Sequence, residues 1–331
     1  MAMISRRRFA LSLAAGAALV GRGRSARAQG FEAGLQRARG LGQLHAIMAA
    51  VDGEVVLAEA VRGGGLDRPA NVKSVSKTLL ATLTGAAIAR GVLPGVEAPI
   101  LRYLRGRAPA GLDPRVEEIT VEDLLTMRSG LVRTSGSGYG AWVNSRDWVG
   151  YVLARREGAP GVRFGYSTGD FHLLAAVLTE AGGASLLELA RSWMGRPLGI
   201  EIPPWTRDPQ GIYMGGNNMA LSPRAMLAFA EAIRLGGGPL VPGAWIEASW
   251  QPRTRSNFSG HAYGYGWFLM RLAGTDVAYA RGYGGQMIYV VPAAGLSVAI
   301  TSDPTQPARS DGHVGALHRL VAEELIPAAG A

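Results

Sequence analysis

The chain has 331 residues, 48% of them hydrophobic and 18% charged, with a formal net charge of +9. That balance is ordinary for a globular protein long enough to bury a full core. It has no cysteine, which excludes disulfides, thiolate metal sites and a cysteine nucleophile.

The N-terminus carries much of the positive charge. "SRRRFALSLAAGAALV" sets Arg6 to Arg8 before an apolar run from Ala10 to Val20, and Ala26 and Ala28 then supply small residues where a signal peptidase reads. Residues 1–28 are expected to be a secretory signal peptide of the twin-arginine type, cleaved before Gln29. The apolar run spans only about half of a bilayer core, so no stable membrane insertion is expected after cleavage, and the product is expected to be periplasmic or secreted. Without the six arginines of residues 1–28 the net charge drops to +3, too mild to imply a nucleic-acid partner.

Residues 32–42 read as a first helix ending in glycine. "HAIMAAV", Asp52-Gly53 and "EVVLAEA" read as a hairpin, because Asp-Gly is the preferred chemistry for a two-residue turn. "SVSKTLLATLTGAAIARGVL" is a long run of small and apolar residues, which predicts a buried helix starting near Ser74. The middle of the chain is helical: starts are expected after Thr120 and Ser145, over "GDFHLLAAVLTEAGG" and "SLLELARSWMGRPLG", and at Pro223. From residue 263 the period changes. The stretches 263–272, 276–281, 286–292 and 296–302 are short and rich in aromatic and β-branched residues, as in an antiparallel meander, and "HVGALHRLVAEEL" closes the chain as a helix. The economical α+β architecture is one antiparallel sheet built from residues 29–84 and 216–331 and flanked by terminal helices, with a mostly helical unit, 85–215, inserted between them.

"NVKSVSKTLL" (71–80) contains Lys73 and Lys77, the only lysines among 34 basic residues. With Ser74 opening a helix, Lys77 lies one turn on, on the same face. A serine hydroxyl needs a base to become a useful nucleophile. A lysine serves only when neutral, which requires desolvation or a neighbouring cation to bring it down from about 10.4. Arginine does not lose its proton in a protein, which gives a chemical reason for lysine at 77. Lys73 reads either as a solvated charge or as the like charge that lowers Lys77.

"SVSK" resembles the S-x-x-K motif of the penicillin-recognising serine hydrolases, and in particular class C β-lactamases and their esterase and 6-aminohexanoate-dimer hydrolase relatives. "ITVEDLLTMRSGL", "PGVRFGYSTGDFHLLAAVL", "GGNNMALSPRAM", "YGYGWF" and "GYGGQMIYVVP" are similar to further stretches of that family. The resemblance implies a β-lactamase/penicillin-binding-protein-like fold, an acyl-enzyme on Ser74 and no metal or cofactor. It implies Tyr166 as the second-motif tyrosine, relaying the proton as a phenolate favoured by Lys77. Tyr283, Gly284 and Gly285 would occupy the third motif, K-T-G, and the backbone N–H groups of Ser74 and Gln286 would form the oxyanion hole. Two positions depart: Thr168 stands where the family has Asn, and Tyr283 where β-lactamases have the lysine that holds the β-lactam carboxylate. That favours a small-molecule ester, amide or peptide substrate over a β-lactam.

Other possibilities remain open on sequence: a β-lactamase or D-amino-acid peptidase using the same site, or a non-catalytic cell-wall or peptide-binding relative. "GYSTG" (165–169) also matches the G-x-S-x-G nucleophile elbow, with Ser167 as nucleophile, although no buried parallel strand is predicted before it. The five histidines show no metal-binding spacing and are expected at the surface. "GSGYG" (136–140) reads as a loop near the site, and Tyr139, Trp142 and Trp148 as either an apolar acyl pocket or core.

Overall fold

The computed structural model describes residues 29–330. The expected signal peptide lies outside the described residues. The first helix, α1, covers 29–39, starting three residues earlier than expected and stopping before Gly40. The hairpin forms as expected, β1 Leu44–Val51 and β2 Glu54–Ala60, with Asp52 (φ 51°) and Gly53 (φ 85°) both in the left-handed region that a tight hairpin turn needs. A short strand, β3 Ala70–Lys73, leads directly into α2, Val75–Ala89.

The helical stretch follows, with short helices at Leu101–Leu104, Val121–Leu125, Tyr139–Val143 and Trp148–Leu153, and the long α3, Thr168–Gly182. Thr120 caps Val121–Leu125 through a reciprocal box with Asp123. Asp147, not Ser145, caps Trp148–Leu153 by accepting from the Gly150 amide. Gly183 in the left-handed conformation ends α3. The chain then returns through β4 Met219–Leu221 and α4 Pro223–Arg234, capped by Ser222.

The final strands are β5 Thr254–Arg255, β6 Ala262–Tyr263, β7 Phe268–Leu272, β8 Thr275–Gly282, β9 Gln286–Val291 and β10 Leu296–Ser302. The expected strand over 263–272 is thus interrupted at residues 264–267, where Gly266 turns with φ 73°. One eight-stranded antiparallel sheet runs β2-β1-β10-β9-β8-β7-β6-β5, so the first hairpin closes on the last strand of the meander. The pair β3-β4 forms a separate small sheet and joins the two ends of the helical excursion.

Helices cover both faces of the large sheet. On one face Glu231 of α4 reaches Ser297; on the other Tyr289 meets His318 of α5, His313–Leu320. Ser297 and Val298 are adjacent in β10, and Val298 pairs with Tyr289, so the two contacts fall on opposite sides of the pleat. α1 packs beside the C-terminal helix, where Arg37 pairs with Glu323 and Glu324.

α2 is the central element. Every residue from Val75 to Ala87 is buried, and the helix packs between β8–β9 and α3. Its interior hydroxyls are satisfied: Thr78 donates to the Gly266 carbonyl (2.6 Å), Thr82 to Thr78 (3.1 Å) and Thr84 to Leu80 (2.9 Å). Among the described residues no single helix is long and apolar enough to cross a membrane. At Gly85 a methyl group would strike the Trp245 indole. Alanine normally favours a helix interior over glycine by about 1 kcal/mol, but overpacking here should reverse the sign. Gly85→Ala is expected to lower unfolding stability by about 1–3 kcal/mol in urea titrations.

Candidate active site

The turn from β3 into α2 is made at Lys73, whose φ of 51° is left-handed for a non-glycine residue. Two side chains hold it. Asn71 Oδ1 accepts from the Lys73 amide (2.9 Å), and Ser76 Oγ donates to the Lys73 carbonyl (2.6 Å) while accepting from the Met219 amide of β4 (3.1 Å). Ser76 therefore braces the turn. Ser74 occupies the N-cap position but makes no side-chain capping bond, so its hydroxyl is not spent on the helix end.

Lys77 is 2% exposed. Its Nζ lies 3.2 Å from Ser74 Oγ, 3.2 Å from Thr168 Oγ1 and 2.8 Å from the Gly216 carbonyl oxygen. It also sits 4.7 Å from the Tyr166 ring centre. Burial pulls its pKa down from 10.5 to about 7, against the opposing charge of Asp170. The cause is thus desolvation by the packed interior; Lys73, the alternative source suggested by sequence, is not what lowers it.

α3 presents the other members. Thr168, at its first position, takes the hydrogen bond from Lys77 and is held by Ser135, whose Oγ accepts from the Thr168 amide (2.9 Å) and meets its hydroxyl (2.9 Å). Asp170 is buried; burial pushes its carboxyl up to about 7, only partly offset by hydrogen bonds with Ser129 and Ser167, and its Oδ1 has no partner. Tyr166 is half-buried and shares a hydrogen bond with Ser74, yet burial is the largest influence and raises its phenol above 10. This corrects the expectation of a phenolate: Lys77 lies over the ring face, and the tyrosine is held protonated. Asp170 and Ser135 carry no motif of their own in the sequence. Asp170 follows Tyr166 by four residues and lies in the first turn of α3, a proximity that could have drawn notice.

A cavity of about 560 Å³ opens over Ser74. Lys73, Ser135, Tyr139, Tyr166, Thr168, Asn217, Arg281 and Tyr283 are in its wall, with Phe258 (44% exposed) and Tyr283 (53%) at the rim. A hollow of about 630 Å³ on the β6–β8 edge of the sheet has no serine in its lining. Of the third-motif residues Tyr283 lines the cavity over Ser74; Gly284, Gly285 and Gln286 do not. The reason is the tight β8–β9 turn, in which the Gly285 amide donates to the Gly282 carbonyl (3.2 Å). Side chains at 284 and 285 would meet Asp303 and His313, away from the cavity. Gln286 stands opposite Gly282, and its buried amide ties β9 to Ser302 of β10.

Ser167 is 1% exposed, engaged by Thr134, and follows no parallel strand; among the described residues every strand pair is antiparallel. The nucleophile-elbow possibility therefore falls. The histidines are not at the surface as expected. His172 is fully buried, His261 meets Tyr279 (2.8 Å), His318 meets Tyr289 (3.0 Å), His313 meets Ser302 (2.9 Å), and His45 is half-buried. Aromatic packing around β7–β9 explains the central pair, and burial lowers His318 to about 3. Trp142 and Trp148 are core around His172, while Tyr139 reaches the cavity. Among the described residues no three His, Asp or Glu side chains form a group able to hold a metal.

Solved structures share this arrangement of chain. EstCE1, a hydrolase with promiscuous acyltransferase activity, superposes with a TM-score of 0.74 at 18% identity, covering 93% of this chain and 99% of its own. A penicillin-binding protein homologue from Caulobacter crescentus gives 0.71 at 17%, covering 90% and 97%. A class C β-lactamase from Rhodobacter sphaeroides gives 0.67 at 18%, covering 91% and 99%. No curated protein sequence matches the chain. The pattern of the Beta-lactamase family, however, matches residues 31–323, nearly the whole described chain, and it is to that family that this protein belongs.

Proposed function

We propose that the protein is a serine hydrolase that cleaves ester or amide bonds of small substrates through an acyl-enzyme on Ser74. The observation that carries this is the hydrogen-bond count at Lys77. A neutral amine has two N–H donors and one lone pair. Gly216 O and Thr168 Oγ1 can take both donors. The lone pair then faces the third neighbour, the Ser74 hydroxyl. A burial that brings the amine to about 7 makes that neutral form accessible near neutral pH.

In this mechanism Ser74 Oγ attacks the substrate carbonyl carbon and its proton passes to Lys77. The Ser74 amide, in the unpaired first turn of α2, stabilises the oxyanion. A second donor comes from the cavity edge of β8; Tyr283 replaces Gln286 as the candidate, since Arg281–Tyr283 border the cavity and Gln286 does not. The neutral Tyr166 phenol hands its proton to the departing group and is reprotonated from Lys77. Water then attacks the acyl carbon, and Ser74 leaves with the proton returned through the same groups.

Wild type, Ser74→Ala and Ser167→Ala can be compared on p-nitrophenyl butyrate, a short amide and a chromogenic cephalosporin. Ser74→Ala is expected to lose about 10⁴-fold or more in turnover. Ser167→Ala should keep turnover while losing about 1–2 kcal/mol of stability with its buried hydrogen bonds. Turnover surviving Ser74→Ala would overturn the assignment, efficient cephalosporin hydrolysis would favour a β-lactamase, and failure to acylate with any probe would favour a binding relative.

The pH dependence follows from the sign of the Lys77 shift. The amine must be neutral, so kcat/KM should climb with pH through about 7 and fall below it. Lys77→Arg should cost at least about 10²-fold across that range. Asp170→Asn removes the charge that holds Lys77 up and should move the acid limb to lower pH. A flat profile from pH 5 to 9 would rule out the neutral lysine.

Substrate charge can be read from the wall. Lys73 and Arg281 line the cavity and no Asp or Glu does. Arg281 is held by Ala308 O and Ser310 Oγ (3.0 Å each), both neutral. An ester with a carboxylate tail, such as the p-nitrophenyl monoester of glutaric acid, is expected to bind better than p-nitrophenyl butyrate. Arg281→Gln should raise its KM about tenfold and leave that of the butyrate unchanged, as initial-rate kinetics would reveal.

A further inference from the structure

We propose that His172 and Asp208 are a buried positioning pair for the reaction, acting through the Gly215–Gly216 backbone to hold the carbonyl that orients Lys77. This rests on Lys77 being the base. Neither side chain lines the cavity over Ser74, and both are 0% exposed.

The connection is continuous. His172 lies on α3 one turn after Thr168, so one helix supplies one Lys77 acceptor directly and braces the other. Asp208 Oδ1 accepts from the amides of Gln210 (2.9 Å) and Ile212 (2.8 Å), which fixes the loop. Asp208 Oδ2 lies 3.0 Å from His172 Nε2, and the Gly215 amide donates to His172 Nδ1 (3.3 Å). The ring must therefore carry its proton on Nε2 and offer its lone pair at Nδ1. Trp142 and Trp148 pack edge-on at 5.6 and 5.3 Å and keep the ring from turning. The next residue, Gly216, has φ 73° and places its carbonyl 2.8 Å from Lys77 Nζ. Gly215 lies so close to Phe171 that a side chain there would collide with the α3 backbone, so the segment has little room to find another path.

Asp208 makes this chain testable by a change of tautomer alone. In Asp208→Asn the single amide oxygen is claimed by the Gln210 and Ile212 amides, and the NH₂ faces His172 Nε2. The ring must then protonate at Nδ1, setting N–H against the Gly215 N–H. The Gly216 carbonyl is driven from Lys77, which loses an acceptor that favours its charged form. The charged and titratable groups facing Lys77, namely Asp170 and Tyr166 from the α3 side and Lys73 from the β3 turn, are left as they were.

The expected result with p-nitrophenyl butyrate is a kcat at least tenfold lower, a KM within about threefold of wild type, and an acid limb about half a pH unit lower or more. His172→Gln is the second variant: it keeps a donor for Asp208 and loses the acceptor for Gly215, and it should show the same fall and the same direction of shift. Ile212→Val, which loosens the same loop without touching its hydrogen bonds, should lower Tm and leave the acid limb in place. Wild-type kcat and acid limb in either folded variant, or an equal shift in Ile212→Val, would overturn the proposal. If Ser74→Ala and Lys77→Arg remain inactive in that event, only the pair's role fails; a fully active Lys77→Arg would remove the base on which it rests.

Discussion

A primary amine sealed inside an apolar interior is the constraint around which the rest of this site is built. Lowering a lysine from 10.5 to about 7 corresponds to roughly 5 kcal/mol against its charged form. An ion pair with a well-placed carboxylate would cancel that penalty and leave the lysine charged. Here its three hydrogen-bonding neighbours are neutral oxygens, and Asp170 is itself pushed up by burial. Both ionisable groups are driven toward their uncharged forms by the same packing. The interior is therefore a chemical instrument as well as a source of stability.

The surrounding elements divide the labour accordingly. α2 is buried through most of its length because it lies between the sheet and α3, and that position desolvates Lys77. Ser76 ties down the strand-to-helix turn and thereby relieves Ser74 of a capping role. The left-handed backbone at Lys73 allows the chain to pass from strand to helix within one residue, setting the hydroxyl at the cavity and the amine beneath it. Such a conformation costs on the order of 1 kcal/mol or more for a non-glycine residue and persists where hydrogen bonds enforce it; Asn71 and Ser76 supply them.

Much of this was legible in the sequence because it is local. Asp52-Gly53 specified its hairpin, the apolar run after Ser74 specified α2, and the i,i+3 spacing put Ser74 and Lys77 on one face. Thr168, the departure from the familiar motif, still accepts a bond from the lysine. What was hidden depends on segments far apart in sequence. Gly216 reaches Lys77 across 139 residues, and Ser135 and Asn217 from separate loops converge on the cavity with Arg281 of β8. Gln286 was misjudged because Tyr283, Gly284 and Gly285 form the β8–β9 turn, which leaves Tyr283 at the cavity and puts Gln286 at the start of β9, opposite Gly282. The histidines were misjudged because periodicity records hydrophobicity and cannot reveal that Tyr279, Tyr289 and Ser302 wait inside to bond imidazoles.

The small β3-β4 sheet has a consequence for the order of events in folding. It pairs Ala70 with Leu221 and Asn71 with Ala220, and the segment that carries Gly216 lies just before β4. Contacts of such long sequence separation form slowly, since a large loop must close before they contribute. Ser74 and Lys77 lie close together in the chain from the outset, but the acceptor that turns the amine toward the serine comes only when this loop is shut. Under the proposed mechanism, a chain that is still being made or still unfolded would carry Ser74 unactivated, and reactivity would come only with completion of the fold.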